Sequence, residues 1–143
     1  MRYADRDPAD GKIYKLSAFG GLYPLSENFK LIEFASRDGA DHVIIHPALI
    51  ELLEELRRDV GIIHVNSGYR TPIHNAKIGG VLGSYHVSGM AADITSRRKS
   101  PEDLYRIAES YAPGGLGLYP SFIHVDIGKS GRRWKQTDRR ESS

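Results

Sequence analysis

The segment Ser84-Tyr85-His86-Val87-Ser88-Gly89-Met90-Ala91-Ala92-Asp93 places an imidazole and a carboxylate seven residues apart, with glycine and small side chains between them. Gly89 permits a tight reversal of the chain, and the two alanines before Asp93 allow close approach of the backbone. A path from a loop into a strand can therefore bring His86 and Asp93 onto one metal ion. A third ligand has to come from another part of the chain, because one short segment rarely supplies three.

A second polar pair lies in the segment Phe122-Ile123-His124-Val125-Asp126-Ile127. Side chains alternate across a strand, so His124 and Asp126 share one face while the apolar residues between them take the other. A metal ion bound by His124, with Asp126 orienting the imidazole or accepting a proton, would give both residues a partner. A hydrogen-bonded His–Asp pair at a sheet edge is the alternative that this spacing leaves open.

Hydrophobic spacing and capping residues predict four helices around these segments. The clearest runs from Pro47 to about Val60, where leucines recur at helical spacing and Gly61 stands at the position of a left-handed cap. The other three are expected at residues 26–35, from Thr71-Pro72 to a point before residues 79–80, and after the capping box at residues 100–103.

Short apolar or alternating runs predict strands at residues 62–65, 92–95 and 122–127, with 116–119 as a further candidate. Helices and short strands without a βαβ rhythm predict an α+β fold with a small, mainly antiparallel sheet flanked by helices. A chain of 143 residues fits one domain. Residues 1–25 carry few apolar side chains and several turn formers, so we expect them to wrap the surface.

Composition limits the chemistry that the chain can perform. Cysteine is absent, so disulfides are excluded and any metal must be bound by His, Asp or Glu. An apolar content of 40% and a charged content of 27% are ordinary for a soluble globular protein. The first residues are polar, without an apolar run typical of a signal peptide or membrane span, so we expect the chain to be cytoplasmic as synthesised.

The net charge of +2 is unevenly distributed along the chain. From Gly128 onward the sequence has six Lys or Arg residues and two carboxylates, which gives this segment a net charge of +4. The charges of the preceding residues sum to −2. A basic tail can bind nucleic acid or an anionic wall polymer, and it can equally be a solvated terminus. Dispersed charge elsewhere and the lack of an aromatic–basic platform argue against nucleic-acid binding.

The ordered pattern Ser84-x-His86-x-x-Gly89-x-x-x-Asp93, followed by His124-Val125-Asp126, resembles the M15 family of zinc peptidases, in particular the short domains of its A-type branch. This family includes D-Ala-D-Ala carboxypeptidases, peptidoglycan endopeptidases and phage endolysins. Further similar motifs lie at residues 25–29, 33–34, 67–72 with Asn75, 79–80, 114–117 and 119–120. The resemblance implies an M15/hedgehog-like zinc peptidase domain at residues 25–134, an N-terminal extension at 1–24 and a basic tail at 135–143.

By this resemblance His86, Asp93 and His124 are the ligands of Zn²⁺, and the fourth position of a tetrahedral ion is left for water. An open position of this kind is typical of catalytic zinc sites. Zinc lowers the pKa of bound water to about 7 and polarises the scissile carbonyl, which permits attack by hydroxide at neutral pH.

Three further residues acquire expected roles from the same resemblance. Arg70 matches a family arginine that can bind a substrate carboxylate or the developing oxyanion; alternatively, it ties its loop to a neighbouring carboxylate. Ser84 and Tyr85 are expected beside the substrate, where Ser84 orders the metal loop by hydrogen bonding and Tyr85 lines the cleft or packs.

One position departs from the family pattern. Several branches place a glutamate as general base three residues before the last ligand, and here that position is Ser121. Serine cannot act as a base at neutral pH, so Asp126, on the same strand face as His124, is the nearest substitute. A branch with a His-x-Asp ending exists among the members that cleave peptidoglycan.

The predicted function is a monomeric zinc metallopeptidase that hydrolyses a peptide bond in peptidoglycan stem peptides, as a carboxypeptidase or an endopeptidase. A phage lysin that a holin releases to the cell wall would fit the expected lack of a signal peptide. The alternative is a catalytically inactive, zinc-containing binding or virion-assembly module, which the serine at position 121 favours.

Overall fold

The computed structural model describes residues 3–136. Within this range the strands are β1 (Lys12–Lys15), β2 (His42–Ile45), β3 (Ile63–Ser67), β4 (Ala91–Ser96), β5 (Gly115–Leu118), β6 (Ile123–Asp126) and β7 (Arg132–Lys135). The α-helices are α1 (Leu16–Phe19), α2 (Pro47–Val60), α3 (Pro72–Lys77) and α4 (Pro101–Glu109), and short 3-10 turns lie at Pro8–Asp10, Leu31–Phe34 and Tyr85–Ser88.

The described residues form two sheets. One has five strands in the order β3-β4-β6-β5-β7, and the other pairs β1 with β2. Pairing is antiparallel throughout except between β5 and β7, which run parallel. The predicted α+β class is confirmed, whereas the prediction of one small sheet is wrong because a second sheet is present.

Three helices begin where the sequence predicts them. Pro47 opens α2, and Gly61 ends it with a φ of 80° that L side chains rarely adopt. Thr71 caps α3 by accepting a hydrogen bond from the His74 amide, and Ser100 caps α4 in the same way. The apolar face of α2 packs into the core, and its four buried leucines are Leu49, Leu52, Leu53 and Leu56.

The helix predicted at residues 26–35 is wrong. Only the 3-10 turn Leu31–Phe34 forms in this segment. The Glu54 carboxylate on α2 accepts hydrogen bonds from the Ser26 hydroxyl and from the backbone and side-chain amides of Asn28. Because Glu54 binds Ser26 and Asn28 directly, they hold the chain in a turn against α2 instead of opening a helix.

Sequence patterns did not reveal β1, β2 or β7. β1 is short and largely exposed, and it pairs with β2 rather than following the surface alone. Tyr3, which precedes β1 in the sequence, is buried in the core.

β7 lies inside the basic run after Gly128, and its pairing with β5 shows that this part of the run is not a solvated terminus. Residues 137–143, most of the predicted basic tail, lie outside the described residues, and the predicted domain division stays a prediction.

The sheet register brings the polar residues of two strands together. β4 and β6 are neighbours in the middle of the larger sheet, and Asp93 lies directly opposite His124. β6 therefore is an interior strand, and the sheet-edge alternative for its His–Asp pair is wrong. No helix in the described part of the chain is long and apolar enough to cross a membrane.

Candidate metal centre

Three donor side chains converge where β4 and β6 pair. Asp93 and His124 come from the two strands, and His86 comes from the turn Tyr85–Ser88 that leads into β4. One donor atom from each residue can be chosen so that all three lie within 4.8 Å of one another, and all three side chains are buried. The structure thus brings together the three residues that the sequence predicts as metal ligands.

Gly89 makes the turn that carries His86 possible. Its φ is 72°, in the left-handed region, and a Cβ built there would overlap the carbonyl of Ile44 on β2. The small second sheet therefore packs directly against the turn that carries His86.

Hydrogen bonds orient both imidazole rings from outside the cluster. His86 Nδ1 lies 2.7 Å from the carbonyl oxygen of Gly68, and His124 Nε2 lies 2.7 Å from Asp126 Oδ2. The other nitrogens, His86 Nε2 and His124 Nδ1, each lie 3.2 Å from Asp93 Oδ1. Every ring nitrogen thus faces an oxygen that can accept a hydrogen bond.

This arrangement fits a bound cation. A neutral imidazole carries one N–H, and the outer contacts to Gly68 and Asp126 use it. The nitrogen of each ring that faces Asp93 can then give its lone pair to a cation, which would replace the proton that His124 carries in the metal-free protein. Donor atoms around tetrahedral zinc, with bonds near 2.0–2.1 Å, are separated by roughly 3.3 Å, close to the 3.2 Å found here. The group can therefore bind a metal ion.

Burial and mutual charge shift the pKa values of all three residues in the metal-free protein. Burial raises the pKa of Asp93, but the neighbouring His86 and His124 outweigh it and hold that pKa well below its usual range. Burial lowers the pKa of His86. Burial also disfavours charged His124, but hydrogen bonds to Asp126 and Asp93 prevail and raise its pKa to about 9. Asp93 is accordingly ionised and ready to bind a cation at neutral pH.

Asp126 is fully buried behind His124. Its Oδ2 accepts from His124 Nε2, and its Oδ1 accepts from the Gly128 amide at 2.9 Å and from the Arg132 guanidinium. Burial raises the pKa of Asp126, but its bond to His124 and the charge of Arg132 bring the net pKa below its ordinary value. These contacts are those of a carboxylate that orients a ligand imidazole.

Arg70 is buried and points at Asp93 rather than into open space. Its Nη2 lies 3.0 Å from Asp93 Oδ2, its Nη1 lies 3.2 Å from Asn75 Oδ1 and its Nε lies 3.0 Å from Ser67 Oγ. The position corresponds to the second of the two predicted roles, in which the guanidinium ties its loop to a neighbouring carboxylate. Substrate binding by Arg70 stays a prediction.

An open cavity of about 420 Å³ borders the cluster on the His124 side. Ser84 and Tyr85 line it, and the Ser84 hydroxyl accepts a hydrogen bond from the His86 amide at 3.2 Å. Both residues thus lie beside the metal group, and their predicted contact with the substrate stays a prediction. Ser121 lies in a different, smaller cavity next to the start of α4.

Two residues of β7 line this cavity and were missed in the sequence. Trp134 packs against His124 with 5.1 Å between ring centroids and donates its Nε1–H to the Tyr119 hydroxyl at 3.0 Å. A Cβ at Gly117 would overlap this indole, so glycine lets the ring lie flat on β5. Arg132 lies two residues before Trp134 on the same strand face. The spacing Arg-x-Trp after the His-x-Asp strand was the available signal, masked by the surrounding basic residues.

Comparisons with known proteins give the chain a family. The sequence model described as peptidase M15 matches residues 25–126. The probable peptidoglycan L,D-endopeptidase MepK of Haemophilus influenzae is 30% identical over 133 residues, which cover 80% of this chain and 71% of that protein. The peptidoglycan L,D-endopeptidase MepK of Escherichia coli K12 is 29% identical over 136 residues, with 87% of this chain and 74% of that protein covered. With the predicted resemblance confirmed in this way, the chain belongs to the peptidase M15 family.

Proposed function

We propose that this protein is a zinc-dependent peptidase that hydrolyses a peptide bond in the stem peptides of peptidoglycan. The observation that carries the proposal is the convergence of His86, Asp93 and His124, in which one nitrogen of each imidazole lies 3.2 Å from the same oxygen of a buried carboxylate. Borderline-soft Zn²⁺ suits a site of two imidazoles and one carboxylate, and three protein ligands are typical of catalytic zinc.

Endopeptidase cleavage is the reaction that the relatives favour. The MepK of Escherichia coli is named a peptidoglycan L,D-endopeptidase, and that of Haemophilus influenzae a probable one. The cavity beside His124 is partly open to solvent, which suits a substrate that continues past the cleaved bond. We therefore favour an L,D-endopeptidase over the carboxypeptidase activity found elsewhere in the family. The metal group is built from one chain, so a monomer would suffice.

A bound zinc ion would supply Lewis-acid polarisation of the scissile carbonyl and acidification of water. The protein's own residues hold the donors in place for it. The Gly68 carbonyl keeps the proton of His86 on Nδ1, and Asp126 keeps the proton of His124 on Nε2, so that the opposite nitrogens face the ion. Arg70 fixes Asp93 through its second oxygen and leaves Oδ1 for the metal.

A catalytically inactive, zinc-containing binding or virion-assembly module is the second candidate. Ser121 replaces the glutamate of other branches and lies outside the cavity next to His124. Of the residues that line that cavity, Asp126 has the only carboxylate, and both of its oxygens accept hydrogen bonds. A protein of this kind would bind zinc and cell-wall peptide without turnover.

Mass spectrometry of digested cell wall tests the proposal. Purified protein is incubated with peptidoglycan, with and without a chelator, and the released fragments are identified. We expect new peptide termini that disappear with the chelator and in His86→Ala, while His64→Ala, which removes an exposed histidine of β3, cleaves like the wild type. Zinc bound at one ion per chain with no cleavage of any wall chemistry would support the inactive module. Activity at the bacterial cell wall, as in a released phage lysin, is part of the same proposal.

A further inference from the structure

We infer that Arg132 forms a carboxylate-binding subsite for the substrate, next to the metal group. The inference rests on the proposed function, because the ligand is a peptide with a free carboxylate close to the bond that is cut. Cell-wall stem peptides carry such carboxylates. The resemblance to the family implies this role for Arg70 as one of two alternatives, whereas the contacts on each guanidinium point to Arg132.

The location of Arg132 places it beside the reacting centre. Arg132 and His124 hydrogen-bond to the two different oxygens of one carboxylate, that of Asp126. Both side chains line the same cavity of about 420 Å³. When the scissile carbonyl of a substrate lies at the metal group, a neighbouring residue of that substrate can therefore reach Arg132.

Arg132 retains unused hydrogen-bond donors. A guanidinium has five N–H groups, and here Nε–H donates to the Lys129 carbonyl at 2.9 Å and one Nη2–H donates to Asp126. Nη1 makes no hydrogen bond to any residue between 3 and 136. Nη1 thus has two N–H groups for a ligand, and one of them lies on the edge shared with Nη2, at which a guanidinium can bind a carboxylate bidentately. One third of the side chain is exposed, so a ligand can reach it.

The surroundings hold this guanidinium in place before any ligand binds. Its Cζ lies 4.7 Å from the centroid of the Tyr85 ring, which stacks on the cation. A Cβ at Gly115 would lie 2.8 Å from both Nη1 and Nη2, so only glycine on β5 lets the side chain lie against the strand. A preorganised guanidinium loses little side-chain entropy when it binds a ligand.

No other cation competes for the role among the residues that line the cavity. Arg132 is the only lysine or arginine there. Arg70 is 3% exposed and has a protein partner at each of its three nitrogens. Arg133, which follows Arg132 in the sequence, points to the other face of β7 and pairs with Glu109 on α4.

A substrate-modification cycle tests the inference. Zinc-loaded wild type and Arg132→Gln are compared on synthetic cross-linked stem peptides in which each free carboxylate is replaced in turn by a carboxamide. At one position, amidation should lower the wild-type kcat/KM by roughly tenfold to a hundredfold, the range for a hydrogen bond to a charged group. The same amidation should have no effect in Arg132→Gln, because the partner of that carboxylate is already gone.

Controls separate substrate binding from support of Asp126. Arg133→Gln removes the same charge one residue along and should keep the wild-type response to amidation. Zinc content measured on each variant shows whether the metal group stays intact. Arg132→Lys should restore part of the carboxylate preference, since it keeps the charge and loses the fork.

The outcomes distinguish this inference from the proposed function. If amidation at every position has equal effects in wild type and Arg132→Gln, or none in wild type, Arg132 does not bind a substrate carboxylate and the inference is overturned. Failure of the zinc-loaded wild type to cleave cross-linked peptides and intact wall overturns the proposed function, and the inference with it.

Discussion

Asp93 is the residue on which the electrostatics of the site depend. It is ionised, buried and in contact with His86 and His124 through one oxygen and with Arg70 through the other. A buried carboxylate of this kind is costly unless each oxygen has a positively charged or donating partner. Substitution of a neighbour of this site should therefore change either the stability of the fold or the affinity for zinc, depending on the neighbour, and two such substitutions can be measured.

The first concerns the partner of Asp93 that is not a ligand. Arg70→Gln removes the cation at the second oxygen of the buried carboxylate and should lower the free energy of unfolding of the metal-free protein by about 3 kcal/mol. Arg106→Gln is the matched control, because it breaks an exposed ion pair with Asp103 and should cost less than about 0.5 kcal/mol. Denaturant unfolding measures both. A rise in KM for Arg70→Gln at unchanged stability would instead support the predicted role in substrate binding.

The second concerns Asp126, for which the sequence leaves two roles open. If Asp126 orients His124, Asp126→Asn should weaken zinc binding by about 10- to 100-fold, the usual effect of removing an outer hydrogen-bond partner of a ligand. Competition with a chromogenic chelator gives the affinity. Unchanged zinc affinity together with lost turnover would assign Asp126 as the proton acceptor.

At this scale the sequence predicts the donors better than their partners. Strand alternation and a glycine turn make His86, Asp93 and His124 possible ligands, and the resemblance to the family identifies them as one set. The partner of Arg70 is not predictable, because its contact with Asp93 depends on how the loop after β3 packs against β4. Arg132 is missed because a charge count cannot distinguish a strand residue from a solvated one.

At the scale of elements, the loop that carries Arg70 is anchored at the start of α3. The Thr71 hydroxyl donates to Asp38 Oδ2 at 2.7 Å and accepts from the His74 amide at 3.1 Å. Hydrogen bonds from Thr71 and Ser36 lower the pKa of Asp38 to about 2. One hydroxyl therefore caps the helix and joins it to the loop before β2.

Thr71→Val tests this anchor through the pKa of Asp38. Loss of the hydroxyl should return that pKa toward 3.8 and cost about 1 kcal/mol of stability through the lost cap. Because the pKa is lower in the folded state than in the unfolded chain, the stabilisation from Asp38 is complete above about pH 4 and is lost as the pH falls toward 2. Carboxylate NMR titration measures the pKa. Thr71→Ser should keep the low value, and an unchanged value in Thr71→Val would show that Thr71 is not its cause.

Some elements can be predicted from local sequence, whereas others depend on contacts with distant residues. α2, α3 and α4 are predictable because caps and apolar spacing agree along each of them. The segment at 26–35 carries a capping serine too, but the contact of Ser26 with Glu54, remote in sequence, decides its conformation. β7 depends on its partner β5, whose glycines make room for the side chains of Arg132 and Trp134.

At the scale of the whole molecule, metal binding should couple to folding. The three donors come from two strands and a turn that meet only in the folded chain, so zinc binds the folded state in preference. With free zinc at 100 times the dissociation constant, the free energy of unfolding should rise by about 2.7 kcal/mol.

The single tryptophan offers a direct readout of this coupling. Trp134 packs on His124, so its emission should change on zinc binding as well as on unfolding. Denaturant titrations with and without zinc, followed by this emission, measure the stabilisation. His64→Ala should show the full zinc effect and His86→Ala a much smaller one. An equal effect in both variants would mean that zinc binds elsewhere.

The most direct test of the central claim is a zinc titration of metal-depleted protein against purified cross-linked stem peptides, with product release measured at each step. We expect no cleavage in the metal-depleted protein, a rise in rate in proportion to added zinc, and saturation at one ion per chain. Cleavage that persists at the full rate after metal removal would contradict the assignment of His86, Asp93 and His124 as the ligands of a catalytic zinc ion.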